Sequence, residues 1–146
     1  MSVTLAQAST IVDAALKMAR EKKQMPQTVV VLDTGGHVVC AKREDGSGIV
    51  RFEIAVGKAW GALGMGWGSH TMMERAAQNP NFLTAIAAAS GGRSVPNPGG
   101  VLIRDAGGQI VGAVGISGDT ADNDEIIAVA GIQAAGLKAD PGGTKS

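Results

Sequence analysis

The order of apolar and polar positions divides this chain into helices and β-hairpins. Apolar residues recur at Leu5, Ala8, Val12, Ala15, Leu16 and Ala19, the spacing of one helical face. Thr4 followed by Gln7 supplies a capping box. Lys22 and Lys23 suit the negative end of the helix dipole, and Met25-Pro26 stops the run. The pattern predicts a helix over about residues 4–23. The period then changes. Thr28–Leu32 and His37–Arg43 are β-branched runs around Asp33-Thr34-Gly35-Gly36, which reads as a hairpin. The same grammar returns as Val101–Arg104, Asp105-Ala106-Gly107-Gly108 and Gln109–Ile116. Only the turn repeats, so the chain is not an internal duplication.

Between the hairpins, Phe52, Ala55, Val56, Ala59, Trp60, Leu63 and Met65 keep helical spacing over residues 50–66, interrupted by Gly57, Gly61 and Gly64. Glycine inside a helix costs up to about 1 kcal/mol against alanine, so close packing on another backbone or a flat ligand is expected there. Ser69 is read as the cap of a second helix at about 70–79, and Pro80 opens a third through Ala89. Ser90–Gly100 is a Gly/Pro-rich loop. A last helix carries Ile126, Ile127, Val129 and Ala130. The order of helix, hairpin, helices, hairpin and helix is that of an α+β domain with a central antiparallel β-sheet flanked by N-terminal, middle and C-terminal helices. One domain is expected over residues 1–138, with a flexible tail at 139–146.

Composition narrows the classes. Lys plus Arg equals Asp plus Glu at 13 each in 146 residues, and the charges are dispersed, which disfavours a nucleic-acid partner. The single cysteine, Cys40, excludes an internal disulfide and a cysteine-based zinc site; its apolar run marks it as a small core residue. No basic-then-apolar leader opens the chain, and no run of about 18 apolar residues exists. The expectation is a soluble, cytoplasmic protein with no membrane partner. No P-loop, nucleophile elbow or H-E-x-x-H zinc motif is present.

The stretch from Gly99 to Glu125 reads G-G-V-L-I-R-D-x-G-G-x-I-V-G-A-V-G-I-S-G-D-T-x-D-N-D-E. It resembles the signature of the GlcG/HbpS-like family of haem-degrading proteins. The capped first helix, the V-V-V-L-D-T-G-G-H-V-V segment and the Ala/Gly-rich helix with Lys58 extend the resemblance over residues 3–137. The resemblance implies a profilin-like fold, assembly into a homo-oligomer, and binding of haem or a related tetrapyrrole, with haem degradation in the family's repertoire.

Within that frame, His70 follows Trp67 and precedes Met72 and Met73. An imidazole beside flat apolar surfaces suits an axial haem ligand, hence a metal ligand; a half-exposed histidine beside core methionines is the other reading. His37, after a hairpin turn, reads as exposed. Arg93 in the Gly/Pro loop and Arg51 and Lys58, two helical turns apart, form a cationic set for propionates or for a small organic acid. Ordinary surface charge is the alternative. The expected pocket lies between the middle helices and Ser90–Gly100, with His70, Trp67 and Met72 at the ring and Arg93 at the acid groups. Residues 51–73 are more aromatic than the family's commoner pattern. That difference motivates a second reading, a lyase, isomerase or hydrolase acting on a small organic acid in a catabolic pathway, with Glu53, His70 or Asp124 as catalytic proton carriers. Asp119, Asp122, Asp124 and Glu125 crowd one helix start. Asp122 and Glu125 read as a capping pair, and four acids together also allow a cation site.

Overall fold

A computed structural model describes residues 1–143. Helix α1 (Leu5–Glu21) is followed by β1 (Thr28–Leu32) and β2 (Val38–Arg43). Three helices come next, α2 (Arg51–Met65), α3 (Ser69–Gln78) and α4 (Pro80–Ala89). The chain continues through β3 (Gly100–Arg104), β4 (Ile110–Ser117), α5 (Ala121–Ala134) and β5 (Lys138–Asp140). The strands form one sheet in the order β2-β1-β4-β3-β5 with every neighbouring pair antiparallel. This is the expected α+β arrangement.

Both D-x-G-G segments close their hairpins in the same way. The Asp33 side chain accepts from the backbone of Gly35 and His37, and the Gly36 N–H reaches the Asp33 carbonyl. Asp105 and Gly108 repeat that last bond, and both second glycines sit at φ of 82–85°, a left-handed position that glycine adopts without a Cβ clash.

Strand alternation sorts the core into two layers. Val29, Val31, Val101, Ile103, Val114 and Ile116 face α1 and α5. Val30, Leu32, Leu102 and Ala113 face α2 through Ala55, Ala59 and Ala62. The small residues on α2 let it lie close to the sheet. Thr4 caps α1 with the full box to Gln7, as the sequence indicates.

Three local readings are corrected. Ser69 is the first residue of α3 rather than its cap, and its hydroxyl instead accepts the Gly100 N–H at 2.7 Å. Thr120 caps α5 by accepting from Asn123, so Asp122 is not the capping residue. Residues 139–143, assigned to a flexible tail, contribute to the fold: Ala139 and Asp140 pair with Ile103 and Leu102 in β5. The remainder of that tail, 144–146, lies outside the described residues. Cys40 is half-buried against the α1–α5 layer.

Candidate functional site

The cationic set read from α2 does share a face, but that face looks inward. Lys58 is 3% exposed and donates to the Ile116 carbonyl at 2.8 Å and to Asp124 Oδ2 at 3.0 Å. Asp124, 1% exposed, accepts through Oδ1 from Gln27 Nε2 and from the Asp119 N–H. Burial pushes the Asp124 carboxyl up and the Lys58 ammonium down, against the attraction between them. Lys58 and Asp124, expected as an anion anchor and a proton carrier, are instead buried and bonded to each other, and neither lines the recess at His70 or the one at Arg93. Together they tie α2 to the start of α5 beneath Gly99. Arg51 points to the same end of β4 and donates to Ser117 Oγ at 3.2 Å.

The acid cluster separates into single tasks. Asp119 accepts from the Met25 N–H, the Asn123 side chain and the Thr120 N–H, and these bonds hold its carboxyl below the usual aspartate value of 3.8. Its folded pKa is depressed, so its stabilising contribution is present above 3.8 and is lost as pH falls through the folded value. Asp119→Asn is therefore expected to flatten the acid limb of a stability–pH curve below about pH 4, measured by urea midpoints; an unchanged limb would contradict this assignment. No group of three or more His, Cys, Asp or Glu side chains among the described residues is placed to hold a metal ion.

Glu125 has a different partner. Its Oε1 lies 3.0 Å from His70 Nδ1, with the two side chains 21% and 28% exposed. A carboxylate only accepts, so Nδ1 of the neutral ring carries the proton and Nε2 presents its lone pair. Nε2 makes no hydrogen bond among the described residues. The C-terminal segment borders the same place: the His70 N–H reaches the Pro141 carbonyl, and the Gly143 N–H reaches Thr71 Oγ1 at 2.8 Å. His70, Asp122, Glu125, Ile126 and Pro141–Gly143 line a recess of about 430 Å³. The spacing of 55 residues between His70 and Glu125 leaves no local sequence signal for the pair.

The other ring-side residues are elsewhere. Met72 is 1% exposed, a core residue, and Trp67 carries the Arg75 guanidinium at 4.5 Å from its ring. Arg93 and Glu53 line a separate recess of about 340 Å³ against Phe52, Val56, Gly57 and Val95, which shares no residue with the one at His70. The expected single pocket is thus two places. Gly57 and Gly61 have the close backbone approach predicted for them, packing on the Arg93–Val95 segment. His37 is exposed, as read, with its ring beside Asp33. No helix among the described residues is long and apolar enough to cross a membrane.

Comparisons with known proteins place this architecture. A family model described as haem degrading protein HbpS-like matches residues 3–133. An uncharacterised 15.0 kDa protein of the dhaT-dhaS intergenic region of Citrobacter freundii is 29% identical over 127 residues, covering 87% of each chain. Among solved structures, a PduOC:heme complex superposes with a TM-score of 0.83 at 25% identity, over 94% of this chain and 97% of the other. Klebsiella pneumoniae ORFY gives 0.81 at 27% identity, over 92% and 90%. HbpS gives 0.78 at 27% identity, over 91% and 89%.

Proposed function

The chain belongs to the haem-degrading HbpS-like family, and from that premise we propose that it is an oligomeric, cytoplasmic binding protein for haem or a related tetrapyrrole. The observation that carries this reading is the likeness, over nearly the whole chain, to a protein solved as a haem complex. Within this chain His70 would hold the iron. Its Nδ1 is held by Glu125, and a carboxylate on the far nitrogen orients a ligating histidine and raises its basicity. Ile126 and Pro141 supply apolar walls to the recess. Asp122 and Glu125 would repel carboxylates, so this recess would favour the macrocycle over its acid groups. The recess would hold part of a macrocycle, which leaves the rest to be covered by a second copy. Ile49 and Val50, just before α2, are 87% and 56% exposed, a patch that suits contact between copies. Haem degradation is the finer form of this reading; it expects the bound Soret band to bleach when a reductant and dioxygen are supplied.

The test is an absorbance titration of the purified protein with hemin. A saturable Soret change is expected, with His70→Ala abolishing the ligand-dependent part and Glu125→Gln weakening binding by about tenfold, the scale of a lost partner to a metal-bound histidine. No saturable change overturns the proposal. An identical change in His70→Ala removes His70 as the ligand. Light scattering that returns a monomer refutes the assembly.

A further inference from the structure

The recess at Arg93 has no part in that reading, yet its lining is specific. Its floor is Phe52, Val56, Gly57 and Val95, and Gly91 and Gly92 border it. The volume of about 340 Å³ is at the small end of ligand sites and too small for a macrocycle. Two opposite charges, Glu53 and Arg93, line it, and they form no ion pair with each other or with any other described residue. Arg93 is not loose. Its guanidinium is stacked over Trp60, 4.8 Å from the ring, and its backbone carbonyl packs on Gly57, where any Cβ would collide. The Val95 N–H bonds the Gly57 carbonyl at 3.2 Å. The loop is therefore fixed on α2, and the guanidinium is held without a carboxylate to receive it. Arginine stacked on an aromatic ring keeps its forked donors free for a planar anion.

A simple carboxylate satisfies Arg93 but meets Glu53 across the same small recess. A molecule with both an ammonium and a carboxylate satisfies both, and its remaining body must be apolar to match Phe52, Val56 and Val95. We propose that the recess between α2 and Gly91–Val95 binds a small zwitterion with an apolar side chain, of the size of a hydrophobic amino acid, its carboxylate on Arg93 and its ammonium on Glu53. This site stands independently of the tetrapyrrole at His70. Glu53 also lies in the first turn of α2, where a carboxylate complements the helix dipole by about 0.3–1 kcal/mol, so the variants are compared by ligand affinity and not by melting temperature.

L-phenylalanine is the probe, titrated into ¹⁵N-labelled protein, with 3-phenylpropionate and phenethylamine as analogues that each keep one charge. Saturable shifts of the Gly57, Gly91, Gly92 and Val95 amides are expected, with phenylalanine binding about fivefold more tightly than either analogue, the upper range for one exposed charge pair. Arg93→Gln should weaken phenylalanine by that factor and tighten phenethylamine; Glu53→Gln should weaken phenylalanine by the same factor and tighten 3-phenylpropionate, whose carboxylate no longer meets a like charge across the recess. The hemin titration of both variants should match the parent. Absent shifts, analogues that bind as tightly as phenylalanine, or hemin displacing phenylalanine from these amides would each overturn the proposal. So would shifts of the same amides on dilution without ligand, since a second copy would then occupy the recess.

Discussion

Gly115→Ala is expected to cost more than about 3 kcal/mol and leave most of the chain unfolded at modest urea. Gly115 lies on β4, paired with Val30 on one side and Gly100 on the other, so its strand is central in the sheet. Helix α2 crosses directly over it. A methyl group there would overlap the Ala55 carbonyl and lie 3.1 Å from the Ala59 side chain. Neither obstacle can swing aside, since one is helix backbone and the other is a short side chain on the same helix. Relief requires lifting α2, which would open the layer formed by Val30, Leu32, Leu102 and Ala113. With a total stability of about 5–15 kcal/mol for domains of this kind, that is a large share. Gly64→Ala is the matched control. Its Cβ would meet only Trp60, at an ordinary 3.8 Å, and alanine is favoured over glycine in a helix by about 0.5–1 kcal/mol. The two variants should therefore move the urea midpoint in opposite directions; a Gly115→Ala protein with the parent's midpoint would refute the close approach of α2.

The contrast between these glycines also marks what the sequence makes legible. Helix α1 and the two hairpins are written locally, in the Thr4–Gln7 box and the D-x-G-G turns, because the residues that decide them are three or four positions apart. The glycine interruptions of α2 announce a close approach without saying against what. Strand β5 has no signature, for Lys138-Ala139-Asp140 is too short for its alternation to register and carries no β-branched residue; it is a strand because the β3 edge offers it partners, with Arg104 Nε bonded to Asp140 at 2.9 Å. The site fares likewise. His70 stands out by composition, but the carboxylate that orients it comes from α5, and Glu125 is easily read as one more acid at a helix start. Phe52 and Trp60 show in the sequence only as members of the α2 apolar stripe, whereas Phe52 lines the Arg93 recess and Trp60 carries the guanidinium.

Lys58 is the sharpest case, and it carries the second large effect. A lone lysine in the Ala-rich stripe of α2 reads as an exposed anchor, yet its partner is 66 residues away and the pair is buried. Removing one member of a buried pair leaves an uncompensated charge, at a cost of about 3–5 kcal/mol. Lys58→Met is expected to destabilise on that scale, because the Asp124 carboxylate keeps its bonds from Gln27 and Asp119 but loses its cation. Lys58→Met combined with Asp124→Leu should cost less than the two single changes added together, since no charge is then stranded. Additivity within about 0.5 kcal/mol would mean that the two groups do not interact. The pH dependence gives a second readout. Burial already raises the Asp124 carboxyl above 3.8, and loss of Lys58 raises it further. A carboxyl whose folded pKa exceeds its unfolded value binds its proton more tightly in the native state, so its contribution to stability falls as pH rises between the two values. In Lys58→Met the deficit against the parent should be full at neutral pH and shrink as pH drops through the raised folded pKa toward 3.8. A deficit constant from pH 7 to pH 4 would point instead to lost packing of the lysine stem, and Asp124 would then stand in the core without needing its cation.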